Sequence, residues 1–241
     1  MEFRLMRGHR VARRLRWGAA LAVAAAICVA LGATAPAASA ETWTVDSTAD
    51  PSGGEGDCSV AGQCTLRAAL EDAAAWAGPG PAIIDATHVS GTITLLDEHL
   101  ELISGGATSV TVEGPGPGQL TVDGGEQFAL FEVNYPGKGV GAELKISGMT
   151  LAHGKALGSG AAIFDYAPEN GTIDDAPLTL EDVHLVENSS GADGGAIYQE
   201  GNTSLTLIDC LLVGNSATDE LGLGRGYGGA IWSSGTLTLQ G

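Results

Sequence analysis

Three aromatic residues hold one place in a repeating block. Phe164, Tyr198 and Trp232 each directly follow an isoleucine, in GAAIF, GGAIY and GGAIW, and Ile163, Ile197 and Ile231 fall at equal spacing. Side chains alternate between the faces of a strand, so with Gly195 and Ile197 turned inward, Ala196 and Tyr198 turn outward. On adjacent coils of a stacked structure the rings would stand about 4.8 Å apart, a strip suited to stacking on sugar faces. The competing arrangement is a structural aromatic ladder, covered by a neighbouring loop or turned inward. Phe164, Tyr198 and Trp232 are the candidate glycan-stacking residues.

Other side chains suggest catalysis less well. A lyase acting on uronates needs a base and a cluster of cations to neutralise the substrate carboxylate. Past residue 40 the chain offers only Arg67, Lys138, Lys145, Lys155 and Arg225, and Lys155 and Arg225 sit in loops two coils apart. A glycoside hydrolase needs paired carboxylates. Asp174-Asp175 is such a pair, and His153-Gly154 is similar to the His-Gly element of polygalacturonases. Yet both aspartates lie in an insertion beside Pro177, in a chain rich in acidic residues. No Gly-x-Ser-x-Gly element, His/Cys metal spacing or phosphate loop occurs. The residues therefore assign no catalytic group, no cofactor and no metal ligand. Ca²⁺ is compatible with the acidity but is placed on no residue.

Cys58 and Cys64 flank a short Ser-Val-Ala-Gly-Gln loop. In an exported chain a disulfide is the better reading, since a metal site would want further Cys or His nearby. Cys210 takes the place of Met149 and Val183 in sister repeats and reads as a buried apolar thiol.

The elements that must position these residues are repeats. LKISGMTLAHG (Leu144 to Gly154), LTLEDVHLVEN (Leu178 to Asn188) and LTLIDCLLVGN (Leu205 to Asn215) align without a gap, each followed by the aromatic block, and a fourth unit begins at Leu237. Self-similarity at this period marks a solenoid. Within each unit, Leu144/Ile146, Leu178/Leu180, Leu205/Leu207 and Leu237/Leu239 alternate with polar residues, as half-buried strands do. Gly148, Asp182 or Asp209 follows, then a second short strand, and the Gly-rich block forms a third. Three short strands per unit make one coil of a parallel β-helix. Leu144, Leu178, Leu205 and Leu237 should form one buried column and Ile163, Ile197 and Ile231 another. Asn188 and Asn215 close the second strand and read as a structural turn ladder. Asp85 to Val133 shows the alternation less regularly, as one or two early coils with Gly114 to Gly118 as a turn. Insertions (Asp165 to Pro177, Gln199 to Ser204, Ser216 to Gly226) map to outer loops. One helix is expected, Leu66 to Ala77, with Thr65 as its N-cap, covering the open end of the first coil.

The first 40 residues read as a signal peptide: six arginines, an apolar stretch from Ala19 to Leu31, and Ala38-Ser39-Ala40 as cleavage site. The stretch is short for a membrane span. Removing the segment takes six arginines and one glutamate from 11 basic and 29 acidic residues, leaving five and 28, a formal charge of −23. Such a surface repels nucleic acid and anionic lipid, because phosphate binding needs clustered Lys and Arg.

Cys64-Thr65-Leu66-Arg67-Ala68-Ala69-Leu70 resembles the N-terminal signature of the CSLREA domain, which stands after a signal peptide and ahead of β-helical repeats. Ala68 departs from it, standing where the family has the Glu that would complete a capping box. The downstream units resemble polymorphic outer membrane protein repeats. The resemblance implies a right-handed parallel β-helix of pectin-lyase type, exported to the bacterial surface or beyond it and serving as an adhesin or passenger. That fold also houses polysaccharide lyases and hydrolases, so fold alone assigns no activity.

The expected organisation is thus a signal peptide over 1–40, an N-terminal cap over 41–80 and, over 81–241, an all-β right-handed parallel β-helix ending in mid-repeat. The expected role is non-catalytic interaction at the cell surface or outside it, with glycans or other surface components as partners and no membrane span in the mature chain. The alternative is a polysaccharide-degrading enzyme of the same fold.

Overall fold

A computed structural model describes residues 39–52, 56–133, 142–166, 176–201, 203–220, 222 and 224–241. The first 38 residues, Lys138 and the Asp174-Asp175 pair lie outside the described residues. The rest form a parallel β-solenoid with a single helix, as the repeat requires. The largest sheet runs in the order Glu41–Thr44, Pro81–Asp85, Ser109–Glu113, Glu143–Ala152, Leu178–Val186, Ser204–Ile208, Thr236–Gln240. A second sheet stacks Leu100–Leu102, Phe131–Val133, Ile163–Tyr166, Ile197–Glu200 and Ile231–Ser233, and a third, much smaller one stacks Lys155–Ala156, Ser189–Ser190 and Ser216–Ala217. Residues 81–133 make two early coils, as the less regular alternation suggested, and these pair in register with each other and with the later coils.

Equivalent residues stack because the side-chain period of two leaves one face of every strand pointing inward. Ala82, Val110, Leu144, Leu178, Leu205 and Leu237 form one such column, and Ile84, Val112, Ile146, Leu180, Leu207 and Leu239 the next. All are at most 2% exposed except the last of each: Leu237 is 39% exposed and Leu239 66%. Ile163 and Ile197 are fully buried, whereas Ile231 is only partly so. The expectation of uniformly buried columns fails at these positions. A column residue is covered from both neighbouring coils, and the described neighbour of Thr236–Gln240 lies on one side. Cys210 is half-buried for the same reason, and burial pushes its thiol pKa up.

The corners of each coil are set by residues with left-handed backbone. Gly148, Asp182 and Asp209 share φ near 63°, 51° and 51°. Gly148 and Asp182 bend the chain inside the continuous strands Glu143–Ala152 and Leu178–Val186, each expected as two, and Asp209 bends it between Ser204–Ile208 and Leu211–Val213. Asp tolerates that region better than most residues. The Gly-Ala-Ile block has a sharper cause. Gly160, Gly194 and Gly228 lie at φ 66°, 66° and 68°, where a Cβ would come within 2.4 Å of the carbonyl oxygen of Ile163 or within 2.1 Å of those of Ile197 and Ile231. Only glycine fits both the dihedral and the space.

The asparagines form the expected ladder, each reaching back to the preceding coil. Gly154 N–H donates to Asn188 Oδ1 (2.8 Å) and Asn188 Nδ2 donates to Leu151 O (3.0 Å). One coil on, Asn188 N–H donates to Asn215 Oδ1 (3.1 Å) and Asn215 Nδ2 to Leu185 O (2.8 Å). Asn188 is fully buried. A Cβ at Gly154 would come within 2.4 Å of the Ala161 carbonyl oxygen and 2.8 Å of Asn188 Oδ1, so the first rung has room only for glycine.

The helix spans Leu66–Ala75, ending earlier than its pattern suggests, with Thr65 Oγ1 accepting from Ala68 N–H (3.1 Å) as N-cap. Leu66, Ala69, Leu70 and Ala73 are buried against the coils. A strand not expected from sequence, Glu41–Thr44, pairs with Pro81–Asp85. Arg67 ties the cap together. Its Nε and Nη2 bond Asp50 at 2.8 and 3.0 Å, while Nη1 and Nη2 donate to the carbonyls of His99 and Glu98. Cys58 and Cys64 form a disulfide ahead of the helix.

Two insertions begin later than expected. Asp165 and Gln199 belong to strands and are fully buried. Gln199 Nε2 donates to Thr203 Oγ1 (2.7 Å), Thr203 Oγ1 donates to Asp165 Oδ2 (3.4 Å), and Ser233 Oγ donates to Gln199 Oε1. Ser216-Ala217, likewise expected in a loop, forms a strand of the third sheet. Polar inward residues defeat a hydrophobic pattern, but a satisfied buried network is stable.

Candidate functional site

The structure brings Phe164, Tyr198 and Trp232 together in register on three successive strands. Phe164 and Tyr198 have centroids 5.4 Å apart and Tyr198 and Trp232 4.6 Å, with 8° between ring planes in both pairs. Near-parallel rings at about the spacing of strands must face along the solenoid axis. The stack therefore presents ring edges outward, and its faces cover one another. A flat platform across all three rings is not what this geometry offers.

Burial follows from that stacking. Phe164 and Trp232 are half-buried, but Tyr198, held between them, is 6% exposed. Its hydroxyl donates to Glu200 Oε2 (2.9 Å). Burial first, then this bond and the charge of Glu200, push the phenol pKa well above its ordinary value. Tyr198 is a packed member of the stack, and sequence alternation alone could not reveal it, because the cover comes from neighbouring coils. Among the described residues Trp232 is the last ring of the stack, and the face it turns away from Tyr198 is the candidate contact.

The loop before Trp232 is fixed by Asp193, itself 6% exposed. Asp193 Oδ1 accepts from the N–H groups of Gly226 (3.0 Å) and Tyr227 (2.9 Å), and Arg225 lies 3.8 Å from Oδ2. This anchoring sets Tyr227 at the surface, 63% exposed. Sequence reading passed over Asp193, whose only signal is an acidic residue immediately before the glycine pair.

Three of the cations considered for catalysis, and the histidine, are engaged elsewhere, whereas Lys155, expected in a loop, is exposed on the short strand Lys155–Ala156. Arg67 pairs with Asp50, Lys145 with Glu181 and Arg225 with Asp193. His153, at φ 49°, bridges two coils, with Nδ1 2.9 Å from Asp123 Oδ2 and Nε2 3.4 Å from Glu187 Oε2. The bond to Asp123 raises its pKa above the ordinary histidine value; burial opposes this, and the charges of Asp123 and Glu187 and the bond to Glu187 add to the rise. Among the described residues no group of three His, Cys, Asp or Glu could hold a metal ion, and no helix is long and apolar enough to cross a membrane. Asp219 and Glu220 lie on the exposed loop before Arg225.

These features define the class as a parallel β-solenoid with a capped N-terminal end. Compared with known proteins, the chain matches no family model, no curated protein and no solved structure.

Proposed function

We propose that this chain is an exported, non-catalytic β-helical protein of the bacterial surface or exterior that engages glycans, with the far face of Trp232 as principal contact. The carrying observation is the register-matched stack of Phe164, Tyr198 and Trp232; Tyr227, on the loop pinned by Asp193, adds a further exposed aromatic residue. A ring face buries sugar C–H groups while the hydroxyls remain solvated. Export is supported by the signal-peptide pattern of residues 1–40, and the surface role by the resemblance to CSLREA domains and polymorphic outer membrane protein repeats. The engagement of Arg67, Lys145 and Arg225 in ion pairs supports binding over uronate elimination.

A glycan array probed with the exported protein, with and without Ca²⁺, tests the reading. Trp232→Ala should then abolish binding to any positive glycan with a small loss of stability, whereas Tyr198→Ala should lower stability because its ring is packed. Binding that survives Trp232→Ala would move the site elsewhere, the acidic loops around Asp174, Asp175, Asp219 and Glu220 being next. Release of unsaturated or reducing ends from an acidic polysaccharide would instead establish the alternative, a polysaccharide-degrading enzyme.

A further inference from the structure

At the opposite end of the solenoid a cavity of about 640 Å³ opens between the second half of the helix Leu66–Ala75 and the strand Leu100–Leu102. That volume is in the range of small-ligand sites, about 300–1,000 Å³. Its floor is apolar: Leu70, Leu100 and Ile103 line it, 2%, 1% and 9% exposed, with Ala74 beside them. Its polar lining is acidic, from Glu71, Glu98 and Glu101.

The walls are held in place. Arg67 bonds the carbonyls of Glu98 and His99 on one side, and His99 Nε2 meets Glu132 Oε2 at 2.6 Å. On the other side Gly105, at φ 55°, packs so closely that a Cβ would lie 2.4 Å from Ala74 O, and Gly106 N–H donates to Trp76 O (2.9 Å). A rigid cavity spares a ligand the ordering cost of a flexible one.

The electrostatics are one-sided. Of the basic groups in the lining, Arg67 is held in a bidentate pair by Asp50 and His99 is turned to Glu132. Burial first, and then the charges of Asp72, Asp50 and Glu101, raise the pKa of the Glu71 carboxyl against the opposing pull of Arg67. The carboxylates are spread round the apolar floor, and no point among the described residues gathers three of them as a metal ion would need. A ligand that satisfies both the floor and the carboxylates must carry its positive charge on an apolar stem.

We infer that this cavity binds an alkylammonium or alkylguanidinium group, the stem lying on Leu70, Leu100 and Ile103 and the cation meeting Glu71 and Glu101. That chemistry is carried by lysine and arginine side chains of another protein and by free polyamines. It is independent of the aromatic stack, so either site can fail without the other.

The experiment is an NMR titration of the exported protein with two probes, agmatine and a terminally blocked Gly-Gly-Lys-Gly-Gly peptide. The controls are the same peptide with acetyl-lysine, and CaCl₂. Saturable shifts at the amides of Leu70, Glu71 and Glu101 are expected with the amines and not with the controls. The Glu71 carboxyl should titrate at lower pH when the site is filled. Glu71→Gln with Glu101→Gln should weaken binding about two- to thirtyfold, from the loss of two exposed charge contacts. Ala75→Leu, at an exposed helix position, should block the mouth while leaving the fold intact. Binding of the peptide alone identifies a protein partner, and of agmatine alone a free amine. No shifts with either amine, equal shifts with Ca²⁺, or affinity unchanged in both variants would overturn the inference.

Discussion

Asn188→Leu replaces a fully buried amide with an apolar group of similar volume. Two backbone groups lose their partner: Gly154 N–H, now bonded at 2.8 Å, and Leu151 O, now bonded at 3.0 Å. The leucine fills the space, so water cannot stand in. An orphaned buried group costs about 1–3 kcal/mol, so two cost about 4 kcal/mol, a large share of a typical domain's stability. Asn215→Leu removes two backbone bonds from a half-buried place, Asn188 N–H to its Oδ1 (3.1 Å) and its Nδ2 to Leu185 O (2.8 Å), where water can partly replace them, and should cost about 2 kcal/mol. Urea unfolding of both variants, analysed at unchanged m-value, measures the difference. Asn188→Asp adds a check by pH. The carboxylate would still accept from Gly154 N–H but would face Leu151 O and Asn215 Oδ1, so burial and acceptor neighbours must raise its folded pKa above the unfolded value of about 3.9. The acid form can donate to Leu151 O, so the variant should be least impaired below the unfolded pKa and lose stability as pH rises through the folded one. A loss below about 1 kcal/mol for Asn188→Leu, or an aspartate variant equally stable at low and neutral pH, would refute the ladder as a source of stability.

Ile197→Ala, in a fully buried column, should cost about 2–5 kcal/mol, while Leu239→Ala, 66% exposed, should stay within about 0.5 kcal/mol; chemical denaturation compares them. Asp50→Ala strands the buried Arg67 guanidinium and should cost about 3–5 kcal/mol, part of it recovered in the Asp50→Ala/Arg67→Met double variant, read from thermal unfolding. His153 has a raised folded pKa, so its contribution is complete below the unfolded pKa of about 6.5 and is lost as pH rises through the folded value. His153→Gln should remove that slope from a plot of stability against pH, and an unchanged slope would place its origin elsewhere.

The solenoid was legible because stacking repeats one physical demand at one position: an inward Leu or Ile, an αL corner, a glycine under the isoleucine carbonyl. Register therefore followed from alignment alone, and so did the Asn ladder. What alignment could not show was cover. Tyr198 looks outward by alternation yet is enclosed by the rings of its neighbours, and Leu237 and Leu239 look inward yet stand exposed on a coil with a described neighbour on one side only. Buried polar residues were hidden for another reason. Asp165, Gln199 and Asp193 are stabilised by specific bonds whose partners lie about a coil or more away in sequence for Asp165 and Asp193, and on the following loop for Gln199. No local pattern records such partners. The cleft beside the helix was missed because its carboxylates come from two separate segments.

The asparagine ladder also bears on how such a protein can lengthen. Asn188 satisfies the turn of the coil before it and has its own turn satisfied by Asn215. A duplicated coil bearing asparagine at this place would do the same at both of its junctions, leaving no polar group stranded and no column out of step. A duplicated coil bearing glycine there, as at Gly154, would leave its predecessor unlatched. Modular growth by whole coils is therefore permitted downstream of Gly154 and penalised upstream, a directional grammar for recombining or engineering repeats of this chain.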